Sequence, residues 1–374
     1  MEKAEKKVEY LELIYDLIFV YIIGRNNSLL HHLENGFVSG QVLAAYVLCS
    51  LAIIQIWNYS TFYTNLFGRN SLRDHISMFL NMYLLYYMGE GTRVHRESFQ
   101  MQYHLAWAMI LVNIGVQYWI ELRNHPDDQA AAQVIKGMMT ALFGEAVLVL
   151  AAIPIFQTTG VQAAGVAILF GILTTRFFAD RKRNVRVDFP HLSERAMLYV
   201  VFTFGEMVIS IASYFEGVFD GSSVYFSTMS FLIVVALFLC YEILYDRIID
   251  REGSGSGLNY MLIHIFLIFG MNLITTSLEF MRNTEVLLIQ KLLLLIGAFL
   301  LFFLCLFFLL LYAKAGRKQR RGFLLQAAGI SAAFVGLMLL FRENMRLNIL
   351  VSVLYVCAQV LLIARFGRKQ KNTM

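Results

Sequence analysis

Proline and charge are what this chain has least of. Only three prolines interrupt 374 residues, and Asp, Glu, Lys and Arg together make 15%. A soluble domain carries about 25% charged residues, so the shortage argues against an ordinary water-facing surface. Scarce proline also means few enforced breaks, which leaves long helices open to the chain. Cysteine is sparse as well. Cys49, Cys240, Cys305 and Cys357 lie far apart in apolar runs without metal-ligand spacing. They read as small core residues that stay reduced. The sequence holds no phosphate loop, no zinc motif on a helix and no Gly-x-Ser-x-Gly turn. His31-His32 and His104 lack ligand spacing too. The first apolar stretch follows a short segment of mixed charge, contains acids and has no small-residue cleavage site, so it is not read as a signal peptide.

What is present is apolar: 58% hydrophobic residues, including 31 Phe and 19 Tyr. Twelve apolar segments can be counted, at 10–25, 41–65, 74–90, 102–122, 134–155, 161–178, 192–214, 224–246, 258–280, 286–312, 322–341 and 347–364. Most meet the spanning length of about 17 to 25 residues, the first and third being the shortest. Helices are the expected form, since no other open structure satisfies its backbone in hydrocarbon. The expected fold is therefore all-α: a polytopic membrane protein with twelve transmembrane helices. The connections are short, and Gly253 to Gly257 and the Pro126 loop are turns rather than linkers. No soluble domain is expected.

Loop charge sets the orientation. With the N-terminus inside, one side receives Lys3, Lys6, Lys7, Arg69, Arg73, the basic 176–186 loop, Arg247, Arg251, Lys314 to Arg321 and Arg365 to Lys371. This large excess places both termini in the cytoplasm by the positive-inside rule. The two halves also repeat. A displacement that varies by a few residues lays Glu12 over Glu194, Gly24 close to Gly205, and Trp57-Asn58 over Tyr241-Glu242. Two six-helix repeats, 1–185 and 186–374, are expected as parallel copies about an axis along the membrane normal.

The costly residues are the charged ones inside these spans. The stretch from His191 to Ala212 carries Glu194 and Arg195 at its start and Glu206 some three turns deeper, where an ionised carboxylate costs at least ~2.5 kcal/mol. The opening helix carries Glu12 and Asp16 one turn apart on one face. Arg195 has the forked guanidinium that can bridge two carboxylates. Glu145 and Glu206 both lie near mid-membrane, each in the string Phe-Gly-Glu, and His264 lies about two turns into the ninth segment. Glu242 and Asp246 sit near the inner end of the eighth. Plainer readings stand beside these. Glu194, Glu242 and Asp246 also fit helix-end charges that reach headgroup water. Glu12, Asp16 and Arg195 also fit a structural ion-pair lattice, and His264 a satisfied core histidine. Glu206 has no headgroup in reach, so it either holds a proton or faces a wet cavity.

The run Leu11-Glu12-Leu13-Ile14-Tyr15-Asp16-Leu17-Ile18-Phe19-Val20 resembles the opening signature of the bacterial low temperature requirement A (LtrA) family. His191-Leu192-Ser193-Glu194-Arg195 followed by Gly205-Glu206 is similar to its second signature. The Trp57 to Asn65 run, the Tyr241 to Asp246 helix end, and Tyr260 with His264 fit its pattern too. Tyr15 departs from the usual Phe, and Glu242 from the usual aromatic residue. The resemblance places the family's polar positions on Glu12, Asp16, His191, Glu194, Arg195, Glu206 and His264. It implies a bacterial inner-membrane protein linked to growth in the cold, and names no substrate.

Together these readings favour a secondary transporter over an enzyme. A proton or cation is expected to be coupled to a small solute through Glu12, Asp16, Glu194, Arg195, Glu206, His264 and Glu145. Membrane lipids, the solute and the proton are the expected partners, and a homodimer is compatible. Nucleic acid, cofactors and metals are not expected. The alternatives are a membrane-embedded lipid-acting enzyme or scramblase, and an accessory protein without turnover.

Overall fold

The computed structural model describes residues 6–31, 33–34, 36–91, 96–180, 187–215, 220–251, 257–283, 285–313 and 317–371. Lys3, the basic 181–186 segment, Lys314 and most of the Gly253 to Gly257 turn lie outside the described residues. The protein is all-α. Its helices are α1 (Tyr10–Asn27), α2 (Gly40–Phe67), α3 (Leu72–Gly91), α4 (Arg96–Asn124), α5 (Gln129–Thr159), α6 (Ala164–Asp180), α7 (Phe189–Ser210), α8 (Gly221–Arg247), α9 (Leu258–Arg282), α10 (Leu288–Phe308), α11 (Arg317–Leu340) and α12 (Met345–Lys371). Each coincides with one of the apolar segments; α4, α5, α11 and α12 run more than a turn into polar flanks, whereas α7 and α10 end in a 3-10 turn before their segments do.

Among the described residues, nine helices are long and apolar enough to cross a membrane, which supports a multi-pass membrane location. The three that fall short of the expected twelve are α1, α3 and α6. Acids and a basic residue dilute α1 and α3, and α6 reaches 17 residues. Apolar side chains on the outside of these helices are bare, as on α6, where Val166, Leu169 and Leu173 form a stripe at helical spacing. Lipid contact accounts for such a surface. A two-residue hairpin, β1 (Leu33–Glu34) with β2 (Phe37–Val38), turns at Gly36 with a left-handed φ of 84°. Apolar patterning offers no signal for so short a pair. Cys49, Cys240 and Cys305 are buried and free, whereas Cys357 is exposed rather than a core residue.

The chain divides into two compact units. The first comprises Met1–His32, Ser39–Tyr199 and Ser254–Ile265. At its centre is α2, where every residue from Ala52 to Asn65 is buried. A helix covered on all faces is a core helix, and α1, α4 and α6 pack around it. It nonetheless carries Gln55, Trp57, Asn58, Tyr59, Ser60, Thr61, Thr64 and Asn65 in its buried half. Those polar groups must find partners inside the protein.

The second unit comprises Leu33–Val38, Val200–Gly253 and Phe266–Met374. Here α8 packs along α12, and α11 joins α10 to α12. Its core is aromatic: Phe334 stacks on Tyr355 at 4.1 Å between ring centres, and Phe299 and Phe303 meet Tyr355 edge-on.

Candidate functional site

The charged cluster of the first unit is assembled from three chain segments. Pro190 lies in the first turn of α7, where its missing N–H costs nothing. Asp188 precedes that turn, and its Oδ1 accepts the backbone N–H of His191 at 3.2 Å. Asn65, near the end of α2, clasps the same corner. Its Nδ2 donates to the carbonyl of Asp188 at 2.8 Å, and its Oδ1 accepts the Asp188 N–H at 3.1 Å. This two-way clasp fixes the amide orientation. Asn65 Nδ2, 3.0 Å from His191 Nδ1, is therefore the donor, so Nδ1 accepts. Nε2 then carries the proton and donates to Glu12 Oε2 at 3.2 Å.

One turn further along α7 is Arg195, which has no exposed surface. Its guanidinium forks onto Asp16, Nε to Oδ2 at 3.2 Å and Nη2 to Oδ1 at 2.5 Å. Nη1 donates to Glu12 Oε1 at 2.9 Å and to Thr64 Oγ1 at 3.1 Å. The Trp57 indole N–H completes Asp16 by donating to Oδ1 at 2.8 Å. Glu12 Oε2 also accepts the backbone N–H of Glu9 at 3.0 Å, so the positive end of α1 faces the same carboxylate. Tyr15, where the family resemblance has Phe, uses its hydroxyl to reach Ser60 Oγ at 2.9 Å. Two carboxylates thus share one guanidinium and its neighbouring donors.

A second cation stands at the mouth. Lys6 Nζ donates to two carbonyls at the end of α2, that of Thr64 and that of the capping Gly68 (2.8 Å), while its backbone N–H reaches Asp188 Oδ2 at 3.3 Å. Burial holds its ammonium below the ordinary lysine pKa, against the pull of the Glu12, Asp74 and Asp188 carboxylates. Beside it opens a cavity of about 210 Å³ bordered by Lys6, Glu12, Thr64, Arg69, Asn70 and Asp74. Of Glu12, Asp16, His191 and Arg195, it is Glu12, 4% exposed, that borders this space.

Elsewhere in the unit, Glu145 on α5 has no exposed surface. Its Oε2 accepts from the Tyr59 hydroxyl at 2.7 Å and from Gln55 Nε2 at 3.0 Å. His264 is buried, with Nδ1 2.8 Å from the Tyr260 carbonyl and its ring 4.3 Å from that of Tyr260. No hydrogen bond or ion pair among the described residues joins it to Glu12, Asp16 or Arg195. Glu194 is half-buried with no hydrogen bond or ion pair to a described residue. Its neighbour Arg195 points inward, and successive helical residues diverge by about 100°. In the second unit, Glu206 is half-exposed and feels the like charge of Glu279. Glu242 and Asp246 are exposed, as helix-end charges are.

The sequence thus singled out Glu12, Asp16, His191 and Arg195, but Lys6 only as a flanking charge, Asp188 and Gln55 not at all, and Tyr59 and Thr64 only within the Trp57 to Asn65 run. The signal for the last three was a polar stripe within an apolar span on α2. Glu121 was overlooked as well: it is buried at the end of α4 and accepts from Arg73. Among the described residues, no group of three His, Cys, Asp or Glu side chains lies close enough to hold a metal ion.

Fold and site together define a polytopic helical membrane protein in which a buried ion network ties the starts of two helices to the end of a third. The sequence pattern of the family described as bacterial low temperature requirement A protein (LtrA) matches residues 7–366. The chain belongs to that family. No curated protein and no solved structure matches it.

Proposed function

We propose that the protein is a secondary transporter that couples a small solute to a proton or another small cation. Its working site in this reading is the Glu12–Asp16–Arg195–His191 network. The observation that carries it is a set of ions buried among membrane-spanning helices, one of which, Glu12, borders a cavity of about 210 Å³. A purely structural ion pair gains nothing from such a space, whereas a binding site requires one. Glu12 can exchange the Arg195 or His191 bond for a donor on the solute while Asp16 keeps its fork. Glu206, half-exposed beside the charge of Glu279, serves as a further proton-handling group in the same scheme, with Glu194 and His264 as supporting polar groups. Two parallel six-helix halves, 1–185 and 186–374, and cytoplasmic termini in a bacterial inner membrane belong to the proposal.

The test is proton movement in proteoliposomes holding a pH-sensitive dye, with amino acids, polyamines, sugars and organic acids added in turn. Wild type is expected to move protons with at least one solute class, and Glu12→Gln to fall to the level of empty vesicles. Silence of the wild type across all classes sinks the transporter reading. Unchanged flux in Glu206→Gln removes that residue alone.

The lipid-acting alternative draws support from the position of the cavity mouth at helix ends, beside Lys6, Arg69 and Asn70. In the proposed orientation this is headgroup depth. The same vesicles, carrying a headgroup-labelled phospholipid and an impermeant quencher, decide it. Label crossing between leaflets favours a scramblase, and a chemically altered lipid favours an enzyme.

A further inference from the structure

A second acid in the first unit is built on a different plan from the Arg195 network. Glu145 has no charged side chain among the described residues within ion-pair distance. Its Oε1 is buried without a hydrogen-bond partner, while Oε2 takes both available donors. Gly171 on α6 makes the room, since a Cβ there would lie 2.0 Å from Glu145 Oε2 and 2.3 Å from the Tyr59 hydroxyl. The groups facing Glu145 are Tyr59 and Gln55 from α2, Gly171 from α6 and Trp107 from α4. The Trp107 indole N–H is buried without a hydrogen-bond partner. His104 lies one turn before Trp107, its ring 6.0 Å from the indole. A carboxylate here would be a buried charge without a cation, and the neutral acid is the form such surroundings accept.

The partners of Glu145 lead outward. Gln55 and Tyr59 also line a cleft of about 30 Å³ with Asn58, Thr175, Arg176 and Asn259. Gln55 Oε1, Asn58 Oδ1 and Thr175 Oγ1 are buried there without hydrogen-bond partners, in residues 2%, 8% and 7% exposed. Unsatisfied acceptors around a small polar space call for a ligand that donates. A water needs about 10 to 15 Å³ of such space, so the cleft has room for two. At its mouth Arg176 donates to Asn259 Oδ1, a cation that disfavours a metal ion and leaves water as the fitting occupant.

We propose that Glu145 is a proton-exchange site, served by waters in this cleft and by the Tyr59 hydroxyl as the single relay between them. Gln55 Nε2 donates to the Tyr59 oxygen at 2.7 Å and aims the hydroxyl proton at Glu145 Oε2. A hydronium in the cleft gives its proton to the free lone pair of the Tyr59 oxygen. That oxygen releases its original proton to Oε2, and the hydronium leaves as water. Glu145 becomes the acid, Tyr59 regains its hydroxyl, and reversal empties the site. The assignment deepens the transporter reading by naming a coupling group, but protonation can be observed without transport.

The experiment is infrared difference spectroscopy of the purified full chain in lipid nanodiscs during perfusion from H₂O to D₂O. Wild type is expected to show a carboxylic-acid C=O band that shifts in D₂O, and Glu145→Gln to lack it. Tyr59→Phe is expected to keep the band and slow its shift by about a hundredfold or more, the scale of a positioned proton relay. Persistence of the band in Glu145→Gln overturns the proposal, as does a wild-type band that never shifts. Tyr59→Phe exchanging at the wild-type rate overturns the relay. Should Glu145→Gln fail to fold, titration of the wild-type band with pH, compared with Tyr59→Phe, decides the same question. An exchanging band in a protein whose vesicles pass no protons would remove the transporter reading and leave this site standing.

Discussion

Asp16 and Glu145 are both fully buried carboxyl groups of the first unit, and both take a hydrogen bond from an aromatic side chain of α2. There the likeness stops. Asp16 meets the fork of Arg195, so its charge is compensated in place and its oxygens are occupied. Glu145 accepts hydrogen bonds only from a phenol and an amide, and one oxygen stays unmatched. Trp57 and Tyr59 are two positions apart, which on a helix turns them by about 200°. A single central helix thus donates to an ion-paired acid on one side and to an acid without a cation on the other. Burial alone does not determine what a carboxyl group can do. The partner does.

That contrast can be broken most severely at Arg195. Arg195→Met strands two buried carboxylates and is expected to destabilise the protein by about 3–5 kcal/mol, leaving little monodisperse material after solubilisation. The neutral triple variant Glu12→Gln/Asp16→Asn/Arg195→Met should recover most of the thermal stability, because the desolvated charges leave together. Glu145→Gln should change stability by about 1 kcal/mol or less, since an amide oxygen still accepts from Tyr59. Equal losses in Arg195→Met and Glu145→Gln would show that the two sites do not differ in charge.

The aromatic donors sharpen the comparison at smaller scale. Trp57→Phe removes a hydrogen bond to a charged group, worth about 1.5–3 kcal/mol, whereas Tyr59→Phe removes one to a neutral acid, worth about 0.5–1.5 kcal/mol. Thermal unfolding in one detergent ranks them, and a reversed order would make Glu145 the ionised acid.

The smallest effect lies at the mouth. The Lys6 pKa is lowered in the folded protein, chiefly by burial, so the folded state binds this proton more weakly than the unfolded chain. The ammonium therefore weakens folding at neutral pH, and that penalty fades as pH rises through the lowered value toward the ordinary 10.5. Wild type should gain stability relative to Lys6→Met across that alkaline window. A difference that shrinks there instead would place Lys6 in a net stabilising ion pair.

Much of this architecture is visible in the chain itself, and for a physical reason. Hydrocarbon enforces helices wherever about 17 or more apolar residues run together, so segment positions follow from composition along the chain. Charges inside such runs announce themselves by cost, which is how Glu12, Asp16, Arg195 and Glu145 stand out. Partner choice does not announce itself. Glu194 adjoins Arg195 in sequence yet faces away, because a helix turns about 100° per residue. Lys6 looks like one more flanking lysine until its ammonium is found on two carbonyls at the end of α2. Tyr59 and Gln55 look like ordinary members of an aromatic, polar run until Gly171 on α6 brings Glu145 against them.

Sequence alone determined that the chain is a helical membrane protein, where its helices lie, and which residues are expensive to bury, since these depend only on local hydropathy and spacing. The fold decided which expensive residues meet. Asp16 and Arg195 are separated by most of the first unit in sequence and joined by a fork in space, and Glu145 was left without a cation. Coulomb energy and hydrogen bonding act at contact distance, so only packing could give one acid a cation and leave the other without one.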